Sequence, residues 1–255
     1  MRLLLARSII LIAFFGLWEF ASGRWVAPIF ISRPTLVFQT FGEWVMDGTL
    51  FFHAAITATE AFVGFFVGSV AGVVAGLVLG RCVRVAEVVE PFIRGFYSLP
   101  KLALAPLFIL WFGIGMNMKV AFTATIVFFL VFLNTYTGVR NVSRELITIL
   151  KLMGATEQYL LRRVVIPSAI TWMFAGLRIS APYALVGAVV AELVAANRGL
   201  GYLLASSAGQ FDTAGVFAAL VGIVLLAALL NFAVGLIEAK SMPWRKSGEM
   251  SGLAI

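Results

Sequence analysis

Cysteine is nearly missing from this chain: Cys82 is the only one in 255 residues. No internal disulfide is possible, and Cys82 reads as a small apolar residue at a helix end. Histidine is equally scarce. His53 stands alone, so neither a Cys/His metal cluster nor a histidine-based nucleophilic set can be assembled. Charged residues are only 12% of the total, where a soluble domain of this size carries about twice that share. No GxxxxGK[ST] segment is present to cradle phosphates. The acids are few and scattered, which disfavours a paired-carboxylate site. These absences argue against a soluble enzyme and against a chain that hydrolyses nucleotide itself. The expected catalytic, cofactor and metal residues are therefore none.

Apolar residues supply what is left, at 62% of the chain. Several runs reach the roughly 20 residues that cross a bilayer. The expected fold is all-α, a polytopic membrane protein with about six transmembrane helices near 8–26, 55–80, 102–117, 119–139, 171–195 and 214–238. The first run is expected to stay as a span, since no small-x-small cleavage site closes it. Fifteen of the nineteen Lys and Arg residues then fall on the N-terminal side of the membrane. That bias places both termini in the cytoplasm and explains the net charge of +7 without nucleic acid.

Within the second expected span, Gly64, Gly68, Gly72, Gly76 and Gly80 recur every four residues. Such a stripe lets another helix approach closely, either in the same chain or in a second subunit. Pro91, Pro100 and Pro106 break the region before the third span; Pro100 and Pro106 mark a kink beside a candidate pathway, or a kink alone. Glu192 lies near the outer end of the fifth span. An acid there is either a pathway group or a cap near the interface. His53 and Glu60 are read as polar groups near the outer surface. Gly199-Leu200-Gly201-Tyr202 begins an outer turn, and Trp244 and Arg245 suit the inner interface.

The longest stretch unable to sit in hydrocarbon is 140–167, RNVSRELITILKLMGATEQYLLRRVVIP, with seven charged side chains. Ser143 is expected to cap a helix that Gly154 ends in the left-handed conformation. Thr156 is expected to cap a second short helix with Glu157 at its positive end, and Pro167 to close it. A helix, a glycine turn and a short helix between two spans suggest a docking element.

That stretch resembles the cytoplasmic motif of binding-protein-dependent ABC importer permeases: Glu-Ala-Ala, three residues, Gly, nine residues, Ile, one residue, Leu-Pro. Gly154, Val164, Ile166 and Pro167 fall at its spacing. Thr148, Ile149 and Leu150 stand where Glu-Ala-Ala is expected, and Glu145 lies one helical turn earlier. SLPKLALAPLFILWFGIG at 98–115, the run at 167–204 and PWR at 243–245 also resemble the nitrate, sulfonate and taurine subfamily. The resemblance implies a type I importer fold with the coupling-helix loop between spans four and five. It implies one permease domain over 1–255, with the core of the likeness at 55–240.

The resemblance further implies partners. Two cytoplasmic ABC ATPases would hold the ATP and Mg, a second permease copy would complete the pathway, and an outer solute-binding protein would deliver the ligand. The docking residues it implies are Glu145, Gly154, Ala155, Thr156, Glu157, Tyr159, Leu160, Arg163 and Pro167. Tyr159 and Leu160 would be the anchors in an ATPase groove, with Arg162 and Arg163 at the rim. The implied solutes are sulfonate-, taurine- or nitrate-like anions, or pyrimidine vitamin precursors. An ion-coupled secondary carrier and a non-transporting membrane scaffold are the alternatives.

Overall fold

The computed structural model describes residues 2–241, and helices occupy nearly all of them. A chain this apolar has to satisfy its backbone groups internally, which a helix does within one segment. In order, the helices of eight residues or more are α1 (Arg2–Ala21), α2 (Pro34–Met46), α3 (Thr49–Arg81), α4 (Val83–Ser98), α5 (Ala105–Phe112), α6 (Met116–Arg140), α7 (Arg144–Leu152), α8 (Glu157–Ala195), α9 (Leu200–Gly209) and α10 (Thr213–Ser241). Trp244 and Arg245, expected at an interface, lie outside the described residues.

Among the described residues, α3, α6, α8 and α10 are each long and apolar enough to cross a membrane. The expected third span is not one helix. A 3-10 turn, Lys101–Leu104, separates α4 from α5, and only the broken pair together passes the same test. The cause is local: Pro100 and Pro106 remove two donors within seven residues and disfavour helix just before each ring. α1 is 20 residues long and exposes Ile9, Ile10, Ile12 and Leu17, as a lipid-facing helix does.

Contacts divide the chain into two units. One comprises Met1–Val63, Leu102–Phe122 and Leu185–Leu226; the other comprises Gly64–Lys101, Thr123–Ala184 and Ala227–Ile255. In the second unit the glycine stripe of α3 lies against α6. A Cβ at Gly72 would sit 2.9 Å from the Phe128 carbonyl oxygen, and one at Gly76 would sit 2.7 Å from Thr135 Cβ. At Gly80 the neighbour is Val139 Cβ, again at 2.7 Å. No larger residue fits at these points. Van der Waals contact of this kind supplies the attraction that the hydrophobic effect cannot supply in lipid. Val127 and Val131, fully buried beside this seam, pack with Ala184.

The first unit holds a different kind of interior. Met118 and Phe122 of α6 are buried, with Phe122 edge-on to Phe108 of α5 at 5.4 Å between centroids. Near them, polar and charged side chains are buried in number, and they form one of the two sites described next.

Candidate functional site

Both ends of the polar loop are capped by its own residues. The Leu146 N–H donates to Ser143 Oγ at 3.2 Å, starting α7. α7 ends at Gly154, whose φ is +86°. The Gly154 N–H donates to the Lys151 carbonyl at 2.9 Å and the Ala155 N–H to the Leu150 carbonyl at 2.9 Å. These are the two bonds of a Schellman stop, and Ala155 and Leu150 both pack on the cluster of Val142, Leu160 and Val164. The Tyr159 N–H then donates to Thr156 Oγ1 at 3.2 Å, starting α8. Glu157 receives Lys151 at 2.6 Å and Arg81 at 3.3 Å. All three side chains are largely solvated, so the ion pairs direct the loop more than they stabilise it.

Two expectations for this loop need correcting. Pro167 does not close the second helix. The chain stays helical from Glu157 to Ala195 because Leu161–Val165 forms a π turn. There the Ile166 N–H reaches back five residues to the Leu161 carbonyl. The wider turn accommodates the proline, which would break a regular ladder. The second correction concerns Leu160. It is 3% exposed and packs with Val142 and Val164 under the loop. It therefore belongs to the loop's own core and is no free anchor. The large apolar side chains that face outward most are Leu152 at 83%, Met153 at 77%, Ile149 and Tyr159. Glu145, Arg163 and Pro167 are exposed, while Ala155 is half-buried.

The second site lies in the first unit, where the 198–201 turn is held by side chains. The N–H groups of the cap residue Gly199 and of the first two residues of α9 have no partners within their own helix. All three are accepted by side chains from elsewhere. Gly199 N–H donates to His53 Nδ1 at 2.9 Å, Leu200 N–H to Thr57 Oγ1 at 2.8 Å, and Gly201 N–H to Glu192 Oε2 at 2.7 Å. Thr57 in turn donates to Glu192 Oε1 at 2.8 Å. Because His53 accepts at Nδ1, its ring proton sits on Nε2, and Tyr202 stacks on that ring at 5.8 Å. Lys119 completes the set. Its Nζ donates to Glu60 Oε1 at 2.7 Å and to the Arg198 carbonyl at 3.4 Å.

Glycine is required twice in this turn. Gly199 has a φ of +114°, and a Cβ there would overlap the Glu192 carboxyl. At Gly201 a Cβ would lie 2.6 Å from the Val189 carbonyl oxygen. Of the two roles open to Glu192, the geometry favours the cap: the residue is 1% exposed and both oxygens are engaged. Glu60 and Lys119 do not lie at a wet surface; each is at most 5% exposed. Lys119 had no signal beyond its place near a tight turn. His53, Thr57 and Glu60 did have one, since they recur at i, i+4 and i+7 along an apolar helix. Pro100 and Pro106 are exposed and take no part in this cluster.

The arrangement fixes backbone and offers no reacting atom. Among the described residues, no group of three His, Cys, Asp or Glu side chains could hold a metal. Apolar spans joined by a capped polar loop define a polytopic membrane protein. Residues 68–242 match the family described as binding-protein-dependent transport system inner membrane component, and the chain belongs to that family. It is a membrane permease of the ABC importer class, and its family is not enzymatic.

Among relatives, the riboflavin transport system permease protein RibX of Chloroflexus aurantiacus is 39% identical over 86% of this chain and 82% of that protein. The formylaminopyrimidine transport permease protein ThiX of Halalkalibacterium halodurans is 32% identical over 90% of this chain and 92% of its own length. The taurine transport system permease protein TauC of Escherichia coli is 29% identical over 89% and 84%. An inward-facing MetNI methionine ABC transporter structure aligns with a TM-score of 0.65 at 21% identity, over 75% of this chain and 95% of that one. This last likeness speaks to the fold alone.

Proposed function

We propose that the chain forms the solute pathway of an ATP-driven importer and that a separate ABC ATPase docks on the loop at 140–167. The observation that carries this reading is the loop itself. It is rigidly capped at both ends, yet it exposes Ile149, Leu152, Met153 and Tyr159 among charged neighbours. Large apolar side chains held outward in a polar loop mark an interaction surface. Two ATPases would close on binding ATP and Mg, pressing the loops of two permeases together. A second copy of this chain is the favoured companion; the broken span exposes Leu107, Leu110 and Trp111, an apolar face that a companion subunit can cover.

On this reading both termini are cytoplasmic, in the inner membrane of a bacterium or archaeon, and an outer solute-binding protein delivers the ligand. The solute is a small sulfonate-, taurine- or nitrate-like anion or a pyrimidine vitamin precursor. The named cargoes of the relatives, riboflavin, formylaminopyrimidine and taurine, support a family that accepts unrelated solutes. Selectivity would then rest largely with the binding protein.

Two substitutions separate docking from folding. Met153→Asp should abolish capture of the ATPase in a detergent pull-down while leaving thermal unfolding unchanged. Leu160→Ala should lower stability by about 2–5 kcal/mol, as other buried leucine truncations do. Normal capture by Met153→Asp would count against the loop as the docking surface. Uptake by the chain alone in liposomes under an ion gradient would replace this reading with a secondary carrier.

A further inference from the structure

A cleft of about 570 Å³ opens at the end of α1, lined by Gly16, Glu19, Phe20, Ser22, Arg24 and Arg33, with Gly23 at its turn. It belongs to neither site above. Its charges are unequal. Both oxygens of Glu19 are already taken, Oε1 by the Thr35 hydroxyl at 3.0 Å and Oε2 by the Thr35 N–H at 3.1 Å. This carboxylate thus serves the positive end of α2. Arg24 lies with its guanidinium carbon 4.0 Å over the Phe20 ring. Arg33 rests against Gly23, its Nη2 3.0 Å from where a Cβ would stand. Among the described residues, neither guanidinium meets a carboxylate within salt-bridge distance. Ser22, 3% exposed, lines the same cleft with a hydroxyl that has no partner in the chain.

The surroundings say what kind of anion would fit. Trp25, edge-on to Phe20 of the lining at 5.8 Å, is 70% exposed, and Ile29 and Phe30, a few residues further along the chain, are 52% and 73% exposed. Aromatic and apolar side chains beside arginine, at the end of an apolar helix, mark the headgroup level of a bilayer. From Ser22 the cleft runs down α1 to Gly16, about 9 Å at the rise of a helix. Gly16 leaves a notch there, with nothing near the place of its missing side chain. A free anion has no use for that extension, whereas a glycerol backbone and acyl chain do.

We propose that this cleft binds an anionic phospholipid, with its phosphodiester between Arg24 and Arg33 and an acyl chain lying along α1 past Gly16. Guanidinium suits a phosphodiester because its fork donates in pairs to adjacent oxygens. This inference does not depend on the docking of an ATPase or on the solute.

The test uses the full chain purified in detergent. Binding of phosphatidylglycerol, phosphatidylcholine and inorganic phosphate is read by native mass spectrometry and thermal shift. The expected result is retention of phosphatidylglycerol over phosphatidylcholine, with a loss of about tenfold or more in Arg24→Gln/Arg33→Gln. Gly16→Leu should weaken phosphatidylglycerol and leave any phosphate binding untouched. Equal retention of both lipids by the chain and by the double variant would overturn the proposal. So would displacement of phosphatidylglycerol by millimolar phosphate, which would identify a free-anion site.

Discussion

Thr57 offers the sharpest test of how the 198–201 turn is held. Its hydroxyl accepts from the Leu200 N–H and donates to Glu192 Oε1, both at 2.8 Å. Thr57, Leu200 and Glu192 are each at most 1% exposed. Thr57→Val keeps the shape and deletes the hydroxyl, which orphans one buried donor and one buried acceptor. Each orphan costs about 1–3 kcal/mol, so the pair should cost about 2–6 kcal/mol. At roughly 2–4 °C per kcal/mol for a chain of this size, Tm should fall on the order of 10 °C. Thr57→Ser is the control, since it loses one methyl and about 1 kcal/mol.

A local readout accompanies the global one. The Arg198 carbonyl is held by Lys119 in the same turn, and trypsin cuts after arginine. Cleavage after Arg198 should accelerate at least tenfold in Thr57→Val and stay near the native rate in Thr57→Ser. The reasoning is refuted if the two variants melt alike, or if Thr57→Val is cut at the native rate.

Lys119→Met strands Glu60 in a buried site and should cost about 3–5 kcal/mol, while adding Glu60→Met should restore most of it; additive losses in thermal unfolding would contradict the pair. Gly154→Leu forces a side chain into positive φ at about 1–2 kcal/mol, and it should reduce ATPase capture with insertion intact. Gly154→Asn, which tolerates that conformation, should capture normally; equal loss in both would shift the cause from backbone to side chain. Gly72→Leu has no room against the Phe128 carbonyl and should abolish folded protein in size-exclusion profiles, whereas Gly95→Leu, in open surroundings, should not.

The polar loop was legible in detail because its determinants are local. Ser143, Gly154 and Thr156 each act within four residues, so their chemistry reads directly from the chain. Pro167 was misjudged for a reason equally local but invisible: a one-residue widening of the ladder at 161–165 leaves no mark in composition. Leu160 was misplaced because a helix seen alone does not reveal which stripe its own loop covers. The pinned turn was harder. Thr57 and Leu200 are 143 positions apart, and no local rule pairs them. Only half of it was on view, as the i, i+4, i+7 stripe of His53, Thr57 and Glu60. The acid at 192 was flagged by its cost in an apolar span, and its partners came from the tertiary fold.

The seam between α3 and α6 has a mechanical meaning. Where Gly68 and Gly72 meet α6, the facing atoms are largely backbone: the Ala124 and Phe128 carbonyls and the Phe132 nitrogen. Backbone has no rotamers. A joint made of side chains can ratchet between two interlocking arrangements, but this one has no second set of knobs to fall into. Over the Gly68–Gly72 stretch the two helices must travel as one plate. Any alternation of access in a permease built this way has to flex at other joints, and a search for hinges can leave this pair out.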